Sequence, residues 1–141
     1  MIKVKHIDHV AIAVGDAGEA AGRLGALFGL AATPVEHVTT QKTDVIFLQP
    51  AGEAGAAVEL VCPAGNEGLA RFLDERGPGL HHVCFEVEDL AGALATLKAA
   101  GVALVDEAPR PGARGHLVAF LHPRATGGIL FELCQKRGDH A

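Results

Sequence analysis

The stretch Leu80-His81-His82-Val83-Cys84-Phe85-Glu86-Val87 restates Ile7-Asp8-His9-Val10-Ala11-Ile12-Ala13-Val14 after a shift of 73 positions (82 − 9 = 73). The same shift, carried outward, lays Asp16 on Asp89, Ala20 on Ala93 and Leu24 on Leu97. Val45, Phe47, Leu48 and Pro50 fall on Val118, Phe120, Leu121 and Pro123, and Glu59-Leu60 falls on Glu132-Leu133. An offset that holds from end to end requires equal element lengths in both halves, so the chain is an internal duplication.

Each half reads alike. Residues 6–14 and 80–87 alternate and are rich in β-branched residues, which predicts strands. Asp16 and Asp89 stand where a helix N-cap is expected. Ala20, Leu24, Leu27 and Phe28 fall at helical spacing behind the first, and Leu90, Leu94 and Leu97 behind the second. Gly29 and Gly101 mark the helix ends. Three strands follow in each half, near 33–38, 43–49 and 55–62, then near 102–105, 116–121 and 128–135. The stretch 64–77 between the halves predicts a short linker helix carrying Leu69, Phe72 and Leu73. The fold class is α+β: a single domain over 1–141, with βαβββ modules at about 5–63 and about 78–137.

Composition narrows the function. The chain has 141 residues, 49% of them apolar, a formal net charge of −5, and no Trp or Tyr. Nucleic-acid binding needs a basic surface and stacking aromatics, so no nucleic-acid partner is expected. No apolar run is long enough to span a bilayer, and the Met-Ile-Lys-Val start lacks the apolar stretch of a signal peptide. The expectation is a cytoplasmic protein with no membrane partner. Cys62, Cys84 and Cys134 are odd in number and sit in apolar runs, which predicts buried free thiols.

Two repeated positions carry chemistry. His9 and Glu59 occupy the first and last strands of module one, and His82 and Glu132 the same places in module two. Glu59 interrupts Ala57-Val58-Glu59-Leu60-Val61, and Glu132 interrupts Leu130-Phe131-Glu132-Leu133-Cys134. A carboxylate inside a buried strand is costly unless it is paired, neutralised or bound to a metal. Two imidazoles and two carboxylates balance a divalent ion, and this N/O donor set suits Mn, Fe, Co, Ni or Zn. The expectation is that His9, Glu59, His82 and Glu132 hold one ion in a cleft between the modules, with open positions for water or substrate.

Duplicated βαβββ modules with His on the first strand and Glu on the last resemble the vicinal oxygen chelate superfamily. The His81-His82 pair and Phe120-Leu121-His122-Pro123, followed by Gly127-Gly128-Ile129-Leu130-Phe131-Glu132-Leu133, look most like its methylmalonyl-CoA epimerase family. The resemblance implies interconversion of (2R)- and (2S)-methylmalonyl-CoA through a metal-stabilised enolate. It implies a divalent ion, Co²⁺ as first choice with Zn²⁺, Ni²⁺ or Mn²⁺ as alternatives, a coenzyme A thioester substrate and a homodimer.

Inversion needs proton removal from one face of C2 and delivery to the other, hence two acid/base groups. Glu132 matches the family's catalytic glutamate. In some relatives a further carboxylate stands at the place of Val45, where valine transfers no proton. Glu59 is then the first candidate for the second group, with Asp44, Gln41 through a water, or a substrate-bound water as alternatives. Gln41, Arg114 in the Pro111–His116 loop, and His122 are the expected substrate-binding residues. Two other readings share the donor set or the scaffold: a glyoxalase I-type lactoylglutathione lyase, and a non-catalytic small-molecule-binding protein.

Overall fold

The computed structural model describes residues 1–52 and 55–137. The fold is α+β. Its strands are β1 (Val4–Ala13), β2 (Leu30–Ala32), β3 (Glu36–Val38), β4 (Thr43–Pro50), β5 (Ala57–Pro63), β6 (Gly79–Val87), β7 (Arg110–Pro111), β8 (Leu117–Phe120) and β9 (Phe131–Gln135). The helices are α1 (Ala17–Phe28), α2 (Glu67–Arg76) and α3 (Leu90–Ala99). The chain divides into two compact units: His9–His81, and Met1–Asp8 together with the chain from His82 onward.

In the His9–His81 unit, β5 lies between β1, to which it is parallel, and β4, to which it is antiparallel. β2 and β3 both pair with the far edge of β4. The single strand expected near 33–38 is therefore two short ones. Asp16 caps α1 by accepting from the Glu19 amide at 3.0 Å, and Gly29 closes the helix in the left-handed region at φ 65°. The alternation of β4 and β5 sends Ile46, Leu48 and Leu60 toward Ala17 and Ala21 of α1, which form the core. Burying leucines of this kind stabilises by about 2 kcal/mol each. Leu27 and Phe28 do not join that core. They occupy the last turn before the Gly29 cap and remain 68% exposed each, so the apolar stripe ends at Leu24. The expected linker helix is α2, capped by Asn66.

In the second unit, β9 lies between β6, parallel, and β8, antiparallel, with β7 on the outer side of β8. Asp89 caps α3 through the Gly92 amide at 3.1 Å. Leu90, Leu94 and Leu97 pack on Leu133, Ala119 and Val87. The strand expected near 102–105 does not form. Val102 donates back to Leu97 at the helix end, and only an isolated bridge joins Leu104 to Leu121. The third strand of the module is instead β7, reached after a further turn. Gly112 follows it because Val118 comes so close that a Cβ there would stand 2.7 Å from its methyl carbons.

Candidate metal centre

The duplication is exact in register. β1 pairs with β5 so that Ala11 faces Glu59, and β6 pairs with β9 so that Cys84, 73 positions on, faces Glu132. On the other side Phe47 faces Glu59 and Phe120 faces Glu132. Pleating then sends His9 and Glu59 to the face of their sheet opposite α1, and His82 and Glu132 to the equivalent face of theirs.

The pairs match atom for atom. His9 Nε2 lies 3.3 Å from Glu59 Oε1, and His82 Nε2 lies 3.3 Å from Glu132 Oε1. All four residues are buried, at 3–7% exposure. Each imidazole is held edge-on by an aromatic ring: Phe47 at 5.6 Å from His9, Phe120 at 5.2 Å from His82. These phenylalanines were legible as repeated positions, but only the structure shows that they orient the histidines. A buried nitrogen and carboxylate oxygen held this close, in a setting that fixes the ring, suit shared ligation of a divalent ion.

The remaining expected residues fall into place separately. Val45 is fully buried on the same face as Phe47, and Asp44 points the other way, where its carboxylate lies 2.9 Å from His37 Nδ1. Among the described residues of β4 and β5, Glu59 is the only acid on the site face. Gln41 lies in the turn before β4, and its carbonyl accepts from Asn66 Nδ2 at 2.9 Å. His122 Nδ1 accepts from the Arg124 amide at 3.0 Å, capping the turn Pro123–Thr126. His81, expected to point away from His82, packs edge-on against Phe72 of α2 at 5.1 Å.

Arg114 takes the left-handed conformation, φ 59° and ψ 21°, uncommon without glycine. Its guanidinium donates to Asp8 Oδ2 at 2.7 Å, and Lys136 Nζ stands 3.5 Å from Asp8 Oδ1. Asp8 went unnoticed in the sequence, although an acid before His9 in an apolar strand carries the same signal as Glu59. Glu86 is held by His6 at 2.8 Å, Lys5 at 3.2 Å and Lys136 at 3.3 Å. Burial pushes the Glu86 carboxyl up, but the two lysines outweigh it and hold it below the ordinary value. His116 is held below its ordinary value by burial and by the nearby Arg114 charge. The Cys84 thiol is pushed up, first by burial and then by its Cys134 neighbour.

Residues 8–120 match the Glyoxalase/Bleomycin resistance protein/Dioxygenase superfamily. The chain belongs to that superfamily. It is 39% identical over 140 residues to an ethylmalonyl-CoA/methylmalonyl-CoA epimerase of Cereibacter sphaeroides, covering 94% of this chain and 98% of that protein. It also resembles the crystal structure of methylmalonyl-CoA epimerase from Mycobacterium tuberculosis, with TM-score 0.91 and 32% identity over 99% of this chain and 93% of that one. A methylmalonyl-CoA epimerase solved in complex with methylmalonyl-CoA and NH4+ superposes with TM-score 0.88 at 25% identity, over 96% of this chain and 97% of that one. The resemblance to the epimerases read from the sequence is thus borne out. No helix among the described residues is long and apolar enough to cross a membrane.

Proposed function

We propose that this chain is a metal-dependent epimerase of methylmalonyl-CoA, in which His9, Glu59, His82 and Glu132 share one divalent ion. The observation that carries the reading is the pair of matched His–Glu contacts, 3.3 Å in each unit and in the same strand register. Each pair sets a buried carboxylate beside an imidazole, and one divalent ion would balance the charge of both carboxylates. Co²⁺ is the first choice, with Zn²⁺, Ni²⁺ or Mn²⁺ compatible with the donors. When bound, such an ion supplies Lewis-acid stabilisation for the negative charge that develops on the thioester as C2 loses its proton.

The protein's own groups carry the proton. Glu132 removes it from one face of C2, and Glu59 serves the opposite face. The assignment of Glu59 rests on elimination as well as on the repeat: Val45 has no proton to exchange, and Asp44 is engaged with His37 on the other face. Phe47 and Phe120 pack edge-on against the imidazoles and hold their orientation. Gln41, Arg114 and His122 are the proposed substrate-side groups for the coenzyme A thioester. Arg114 and His122 are already set by Asp8 and by the Arg124 amide, so a ligand would meet donors that need little reordering. A cytoplasmic homodimer completes the proposal.

The test is to incubate the metal-loaded protein in deuterated water with (2R)-methylmalonyl-CoA and, separately, with the glutathione hemithioacetal of methylglyoxal. Deuterium at C2 with formation of the (2S) form supports the epimerase. Hemithioacetal turnover without epimerisation would assign the lyase activity instead, and inertness toward both would favour a binding protein.

A further inference from the structure

Asp8, Cys84 and Cys134 converge in the unit formed by Met1–Asp8 and the chain from His82 onward. A carboxylate oxygen and the two sulfur atoms all lie within 4.8 Å of one another, and all three residues are buried. Cys84 stands two residues beyond His82 on β6, and Cys134 two beyond Glu132 on β9, so both thiols occupy the same sheet face as the His–Glu pair.

Packing alone does not call for sulfur there. The equivalent places in the other repeat are Ala11 and Val61, also buried, which fill the space with hydrocarbon. The second half therefore carries two thiols where the duplicated scaffold needs none, and a carboxylate is set beside them.

We propose that Asp8, Cys84 and Cys134 form a second cation site, suited to a thiophilic divalent ion such as zinc or cadmium. On binding, each thiol releases its proton to solvent and each sulfur donates a lone pair to the ion. Two thiolates and one carboxylate around a 2+ ion leave a net charge of −1. Arg114, 2.7 Å from Asp8 Oδ2, compensates it, with Lys136 3.5 Å from the other oxygen. Metal-ligating carboxylates are commonly hydrogen-bonded by outer partners, as Asp8 is by Arg114. Ligand chemistry then separates the two sites: the His–Glu set takes borderline ions through N and O, and the trio takes soft ions through sulfur. This inference does not depend on the epimerase reading.

The experiment is a cadmium titration of the whole chain, followed by the ultraviolet sulfur-to-cadmium charge-transfer band. The band should appear and saturate at one ion per chain. Cys84→Ala combined with Cys134→Val installs the residues of the other repeat, keeps the core apolar and should abolish the band. Asp8→Asn should weaken cadmium binding by more than about tenfold while both thiols remain. Cys62→Ser, which removes the third thiol, should leave the band intact. No band with the native protein, or an undiminished band in the Ala/Val variant, would overturn the proposal.

Discussion

His82 Nε2 lies 3.3 Å from Glu132 Oε1, the separation that also joins His9 to Glu59 in the other repeat. Equality of distance follows from equality of register, since Cys84 faces Glu132 as Ala11 faces Glu59. The duplication has therefore preserved a side-chain geometry as well as a fold. Such buried pairs would be expensive as structural devices alone, because hydrophobic replacements of the same volume are often at least as stabilising. Their retention in both halves fits a ligand role.

The two glutamates should divide the proton transfer by face. Glu132→Gln is expected to slow C2 exchange from one epimer by about 10²–10⁴-fold, and Glu59→Gln from the other. Isotope wash-in measured separately from (2R) and (2S) substrate checks this, with metal content assayed in parallel. Equal loss from both epimers in a variant that retains its metal would argue against the division.

Gly112→Ala should destabilise the fold by about 1–3 kcal/mol. The added Cβ would stand 2.7 Å from buried Val118 on β8, so strand and loop must part. Urea unfolding of the variant reads the change as a lowered midpoint.

Arg114→Ala should cost about 1–3 kcal/mol by removing the 2.7 Å charge-assisted hydrogen bond to the buried Asp8 carboxylate. Alanine keeps the backbone strain that arginine bears at φ 59°. Arg114→Gly relieves the strain and should therefore be less damaging than Arg114→Ala, the reverse of the usual ranking. Thermal denaturation of the two variants side by side decides the order.

Glu86 makes stability depend on acid. Its folded pKa lies below the ordinary 4.5, so the folded state binds fewer protons than the unfolded chain near that value. The contribution is present above pH 4.5 and is lost as pH falls through the lowered folded value. Glu86→Gln should be less stable than the native protein near neutrality, and the gap should narrow on acidification through that window. A gap that stays constant from pH 6 to pH 3 would contradict the assignment.

Much of this was legible in the chain because the repeat encodes it twice. Asp16 and Asp89 cap their helices, and Glu59 and Glu132 lie on the strand face opposite Leu60 and Leu133, which pack toward α1 and α3, as alternation requires. What alternation and periodicity could not supply was long-range pairing. Leu27 and Phe28 keep helical spacing yet lie past the part of α1 that meets the sheet. Val102–Val105 has strand composition, but Val102 is taken up by the end of α3, and the outer strand of that module starts only at Arg110. Asp8 and Arg114 are 106 residues apart, and no local pattern announces their pairing.

The central claim is that the two His–Glu pairs act as one metal site. Manganese binding followed by electron paramagnetic resonance tests it directly, because Mn²⁺ favours N and O donors over thiols. One ion per chain is expected, with affinity lost in His9→Ala and in His82→Ala alike. Two ions per chain, or a variant of either half that keeps native affinity, would contradict it.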